Sequence, residues 1–199
     1  MSSRITIIRH APTAYNKQQI FMGTKDVPVD AIDETKIVNL KKLLSATKYY
    51  AVYSSPLLRA YKTAVEVIGD EYNVVVDERI IERCLGDWQG IKKDDVQKNY
   101  PEAFNNGIMD FFYTPQNGED YKTMVMRISE FIYDRCKDDK DILVFTHNGV
   151  FRVMKSLLTG IPLSEVFNEF EPFLEPQSFD VDYELLCKIR INPFYTVEE

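Results

Sequence analysis

Arg4-Ile5-Thr6-Ile7-Ile8-Arg9-His10-Ala11-Pro12-Thr13-Ala14-Tyr15-Asn16 is the stretch from which the rest of the chain is read. Arg4 to Ile8 is a short β-branched run, the pattern of a strand buried on both faces. The strand delivers an arginine and one of only two histidines into a turn that Pro12 makes abrupt. Charged and titratable residues at the end of such a strand sit at the carboxyl edge of a sheet, where open α/β sheets bind ligands. The second histidine repeats the arrangement in Asp141-Ile142-Leu143-Val144-Phe145-Thr146-His147-Asn148-Gly149. There too a hydrophobic strand runs out at a histidine, and a helix follows.

A chain of 199 residues suits one domain, here 1–199, with enough interior for a full core. A formal net charge of −7 argues against nucleic acid or an anionic membrane as the main partner. An anionic substrate must then be captured by a few local cations against the overall field. Cys84, Cys136 and Cys187 are odd in number and widely spaced, which offers neither a disulfide framework nor a Cys-x-x-Cys metal site. The start, Met1-Ser2-Ser3-Arg4, lacks the apolar core of a signal peptide, and no apolar run is long enough to span a bilayer. These features read as a soluble protein of the reducing cytoplasm, and a homodimer is left open.

Strands alternate with helices along the chain, so the expected fold is α/β: a mixed, mainly parallel central sheet with helices on both faces. Ile32 to Leu44 reads as a helix, Tyr49 to Tyr53 as the second strand and Asn73 to Val76 as an edge-like strand. Ser55 suits an N-cap and Pro56 the first helical position, which places Arg59 one turn into a helix near its positive end. The charged stretch from Asp77 to Gly90 holds the only tryptophan, and in it Glu78, Glu82 and Asp87 are equal candidates for a catalytic carboxylate. Residues 92–118 read as two short helices broken at Pro101, forming a lid over the sheet edge. Tyr121 to Ile132 is a strongly periodic helix, Val150 to Leu158 another, and Gln177 to Ile191 alternates like one further strand or hairpin.

Arg9-His10-Ala11, with Thr13 and Asn16 after it, resembles the Arg-His-Gly signature of the histidine phosphatase superfamily, also called phosphoglycerate mutase-like; Ala11 stands where glycine is usual. Four further stretches agree in order. Gly23-Thr24-Lys25-Asp26-Val27-Pro28 is similar to the family's Gly-x-x-Asp-x-Pro loop. Ser54-Ser55-Pro56-Leu57-Leu58-Arg59-Ala60 is similar to the segment carrying its second phosphate-contacting arginine. Glu82 to Gly90 resembles Glu-x-x-x-Gly-x-Trp-Glu-Gly, with Gln89 for the second glutamate. The last is the strand ending at His147.

The resemblance implies a metal-independent phosphomonoesterase acting on a small phosphorylated metabolite, with no cofactor. In it His10 is the nucleophile, Arg9 and Arg59 clamp the phosphoryl oxygens, and His147 donates a further hydrogen bond to them. Glu82 is the general acid, and Asn16, the backbone at Gly23, and Asn148 complete the substrate contacts. A bisphosphoglycerate-dependent phosphoglycerate mutase shares these motifs, but such mutases carry a basic insertion. Here residues 92–118 hold only Lys92, Lys93 and Lys98 as cations, beside Phe104, Phe111, Phe112 and Tyr113. A non-catalytic phosphate-binding module should have lost the histidine or the acid. A zinc site on His10, His147 and a carboxylate lacks a third histidine or a placed cysteine, and flanking arginines would repel the cation.

Overall fold

A computed structural model describes residues 2–30 and 33–197. Its centre is strand β1 (Ser2–Arg9), where Ile5, Ile7 and Ile8 are wholly buried. The chain continues through a single turn α1 (Ala14–Lys17) and helix α2 (Glu34–Leu44) to β2 (Ala51–Ser54), α3 (Leu58–Ile68) and β3 (Val74–Val76). An insertion follows, with α4 (Lys93–Asn99) and a small hairpin of β4 (Phe104–Asn105) and β5 (Ile108–Met109). Then come α5 (Tyr121–Cys136), β6 (Ile142–Thr146), α6 (Asn148–Thr159), the short α7 (Leu163–Val166), β7 (Pro176–Asp182) and α8 (Tyr183–Ile191). The main sheet has the order β3-β2-β6-β1-β7, parallel except for β7.

Side chains alternate across a strand, so successive residues of β6 feed different cores. Ile142 and Val144 pack with Ile128, Phe131, Phe151 and Met154 under α5 and α6. Leu143 and Phe145 join Ile37, Leu40, Ala64 and Val67 under α2 and α3 on the opposite face. This double coverage is why the strands read as continuous apolar runs. The register then fixes the site: Arg9 lies opposite Thr146, and Ser54 opposite Phe145. Two backbone hydrogen bonds carry the alignment past the strand ends, from His10 N–H to the Thr146 carbonyl (2.9 Å) and from Ser55 N–H to that of Phe145 (3.0 Å). His10, Ser55 and His147 therefore leave the sheet side by side.

Four segments differ from the sequence reading. Helix α3 starts at Leu58: Ser55 Oγ accepts from His147 and from Leu57 N–H (3.3 Å), one residue short of the helix, and the first helical N–H donates to the Asp26 carboxylate (2.7 Å). Helix α2 starts at Glu34, capped by Asp33; Ile32 lies outside the described residues. In the insertion only α4 is a true helix. Pro101–Ala103 is a single 3-10 turn, and the chain then reverses through Asn106 and Gly107, both at positive φ, as a two-residue hairpin requires. The last segment is a strand and then helix α8, whose Asp182 cap accepts from Leu185 N–H (2.8 Å). Among the described residues no helix is long and apolar enough to cross a membrane.

Candidate active site

His10 is almost fully buried at the end of β1. Its Nδ1 lies 2.6 Å from its neighbour's carbonyl oxygen, that of Ala11. A carbonyl only accepts, so Nδ1 carries the proton and Nε2 keeps its lone pair. Burial first, and then the positive fields of Arg59 and Arg9, hold the ring well below the ordinary histidine range, although the Ala11 bond works the other way. The result is a neutral imidazole on the wall of a cavity of about 440 Å³.

Arg59 is 1% exposed, and its guanidinium is held by three bonds. It donates to the Gly23 carbonyl (2.7 Å), the Lys25 carbonyl (2.8 Å) and His147 Nδ1 (3.2 Å). Because Nδ1 of His147 accepts, Nε2 must bear the hydrogen, and it donates to Ser55 Oγ at 2.6 Å. His147 is thus a neutral ring, kept so by burial and by Arg59. Both its nitrogens are engaged, and it does not line the cavity. The expected direct donor to a phosphoryl group is instead a prop for Arg59.

Gly23 lines the cavity as expected, and its open backbone also makes room for a neighbouring side chain. A Cβ there would fall 2.1 Å from Gln89 Oε1, so the missing side chain admits Gln89. Gln89 in turn accepts from Thr24 N–H (2.6 Å) and the Thr24 hydroxyl (2.9 Å), which fixes the loop that holds Arg59. Asn16 lines the cavity with its Oδ1 committed to Thr13, leaving the amide NH2 as its free donor. Arg9 spans the opposite wall. One terminal nitrogen donates to the Glu171 carbonyl (2.6 Å), Phe173 and Phe170 stack on it at 3.8 and 4.6 Å, and Nε is buried without a partner. Burial lowers its pKa to about 9, which still leaves it charged at neutral pH.

Glu82 reaches the same cavity from the other side. Its carboxylate accepts from Arg83 N–H (2.9 Å) and from Gly149 N–H in the first turn of α6 (3.2 Å). A Cβ on Gly149 would stand 2.6 Å from Glu82 Oε1, so the glycine is what lets the acid approach. Asn148, beside it, has a buried Oδ1 with no partner and lines the cavity. Arg83 donates to the carbonyls of Phe111, Tyr113 and Glu119 and so ties the insertion to the acid. The insertion has a small core of its own, where Trp88 stacks on Tyr113 (5.4 Å) and meets Phe21 (5.9 Å).

Of the site residues that the resemblance implies, all except His147 line one cavity, and of the three candidate carboxylates only Glu82 does, not Glu78 or Asp87. Arg152, four residues beyond Asn148 on α6, lines it as well and was missed. A lone arginine mid-helix reads as solvent-facing; only its spacing from the His147-Asn148-Gly149 turn placed it on the same helix face. Among the described residues no three His, Cys, Asp or Glu side chains are grouped so as to hold a metal ion.

The family model for the histidine phosphatase superfamily (branch 1) matches residues 5–171. Phosphoserine phosphatase 1 of Hydrogenobacter thermophilus is 27% identical over 169 residues, covering 83% of this chain and 80% of that protein. The adenosylcobalamin/alpha-ribazole phosphatase of Escherichia coli is also 27% identical over 169 residues, covering 83% of each. Among solved structures, Bacillus stearothermophilus YhfR superposes with a TM-score of 0.79 at 28% identity, over 91% of this chain and 92% of that one.

Proposed function

As a chain that belongs to the histidine phosphatase superfamily, this protein is, we propose, a metal-independent phosphomonoesterase that works through a phosphohistidine on His10. The observation that carries this reading is the Nδ1–H of His10 tied to the Ala11 carbonyl, with the neutral Nε2 lone pair left for the cavity. Nε2 attacks phosphorus, forming an N–P bond as the P–O bond to the alcohol breaks. Arg9 and Arg59 hold the non-bridging oxygens, whose charge is spread in the transition state. Glu82 gives its proton to the leaving alkoxide. It then takes a proton from water, the hydroxide attacks phosphorus, the N–P bond breaks, and phosphate leaves with His10 again neutral.

The phosphatases named above support hydrolysis over mutase chemistry, and so does the insertion. It gives the cavity an apolar wall of Phe104, Ile108, Met109 and Phe111, with Lys93 as its one cation there. On this reading residues 92–118 act as the lid that selects the alcohol. The net charge of −7 speaks for a small-molecule partner rather than nucleic acid. The free thiols of Cys84, Cys136 and Cys187 suit a reducing cytoplasm.

The test is a phosphate-release screen over phosphorylated metabolites, run beside 3-phosphoglycerate with and without 2,3-bisphosphoglycerate. Phosphate release that His10→Ala abolishes is the expected result. Rapid, bisphosphate-dependent formation of 2-phosphoglycerate with little phosphate released would replace hydrolysis by mutase chemistry.

A further inference from the structure

The charges around the cavity exceed what a simple phosphomonoester needs. Arg9, Arg59, Arg83, Lys93 and Arg152 line it, and among the described residues none of the five forms an ion pair with a carboxylate. The acids on the wall are Glu82, committed to two backbone N–H groups, and Glu169, which already pairs with Lys155 at 2.5 Å. Arg9 and Arg59 match the two charges of a phosphate dianion. Arg83 is committed to the Phe111 and Tyr113 carbonyls of the insertion and to that of Glu119 just after it, so it braces the wall. Lys93 and Arg152 are left with no role in the reaction as described, in a protein whose net charge is strongly negative.

Their placement is specific. Arg152 lies one helical turn from Asn148 and Gly149, and Gly149 holds Glu82, so its guanidinium is on the side where the alcohol leaves. It is fixed against the Phe167 ring at 5.2 Å and donates to the Glu169 carbonyl, yet its Nε is buried with no partner. Lys93 comes from α4 across the cavity, its Nζ 5.7 Å from the Phe21 ring. Desolvation first, and then the fields of Arg9 and Arg152, hold this lysine below its ordinary range, so the cations share one field.

We propose that Arg152 and Lys93 form a second anion subsite, and that the substrate is a phosphomonoester whose alcohol carries a further carboxylate or phosphate. This rests on the phosphomonoesterase reading and adds the class of alcohol to it. The apolar insertion wall then contacts the carbon skeleton between the two anionic ends.

Two substrate pairs test it on the full chain. 3-Phosphoglycerate against glycerol 3-phosphate exchanges a carboxylate for an alcohol, and propane-1,3-diol bisphosphate against its monophosphate removes the second phosphate. A charge-assisted contact of this kind predicts kcat/KM at least about tenfold higher for the anionic member of one pair. Which pair responds tells carboxylate from phosphate. Arg152→Met and Lys93→Met should each shrink that ratio, with Arg152→Lys recovering part of it. Lys93 belongs to none of the hydrophobic cores, so its variant is readable even where Arg152→Met folds poorly. The same pairs, titrated onto His10→Ala by calorimetry, read the subsite without turnover. Binding discrimination with no hydrolysis by the wild type would overturn the phosphatase reading and leave the subsite standing. Ratios near one in both pairs, or ratios untouched by both methionine variants, would overturn the subsite.

Discussion

Gly149→Ala separates the acid from the fold. The added methyl would stand 2.6 Å from Glu82 Oε1, about 0.8 Å inside the 3.4 Å at which ordinary contact begins. Its next neighbour, Met124 Cε at 3.3 Å, is almost comfortable. Helix α6 cannot give way, because the adjacent Val150 and Phe151 are wholly buried in the main core. The carboxylate is the flexible partner, so it moves and loses its 3.2 Å bond from Gly149 N–H. Stability should change little, since alanine in a helix gains up to about 1 kcal/mol over glycine. Catalysis should not be spared: a displacement near 1 Å can cost about 100-fold, within the range of roughly 10² to 10⁴ that a general acid contributes. The expected outcome is an unchanged or slightly raised Tm with kcat on an alkyl phosphate down about 30- to 100-fold. p-Nitrophenyl phosphate, whose leaving group needs little protonation, should lose only a few-fold. Thermal melts and steady-state rates on both substrates measure this. Equal losses on the two esters would show that Glu82 is not the proton donor, and a large fall in Tm would show that the helix, not the acid, yields.

Ser55→Ala removes the acceptor of the 2.6 Å bond from His147 and leaves a buried N–H unpaired, which costs about 1–3 kcal/mol. It should also slow turnover by loosening Arg59, with KM for phosphate esters rising; an unchanged KM would mean that His147 does not position the arginine. Both histidines are buried neutral and held below the ordinary histidine value of about 6.5. The unfolded chain therefore takes up more protons below that pH, and stability must fall as pH drops from about 6.5 toward the lowered folded values. Urea unfolding from pH 7.5 to 5.5 should show a slope approaching two protons, roughly halved in His147→Asn. A flat profile would contradict the burial of neutral rings.

Much of this was legible in the sequence where local pattern and burial agree. The Arg4 to Ile8 run, the periodic helix from Tyr121 and the strand ending at Thr146 lie where their apolar spacing puts them. The hairpin at Asn106-Gly107 carried a strong turn signal, obscured by the helical look of the flanking aromatics. Helix α8 was hidden because β7 and the helix adjoin at Asp182, so alternation and helical spacing run together. What no local pattern could reveal were choices between partners. Ser55 is shared between His147 and the Leu57 N–H just ahead of the helix, Asp26 reaches across from another loop to the first helical N–H, and the space above Gly23 belongs to Gln89. Arg152 was invisible for the same reason, since a helical arginine looks alike whether it faces water or a substrate.

The central claim is that phosphorus passes through Nε2 of His10. Rapid quench of the enzyme with a labelled phosphoester, in the presence and absence of EDTA, tests it most directly. The predicted result is a single labelled site at His10 in both conditions, stable in alkali and lost in acid, and absent from His10→Ala. An acid-stable label, or turnover abolished by EDTA and restored by zinc, would contradict it.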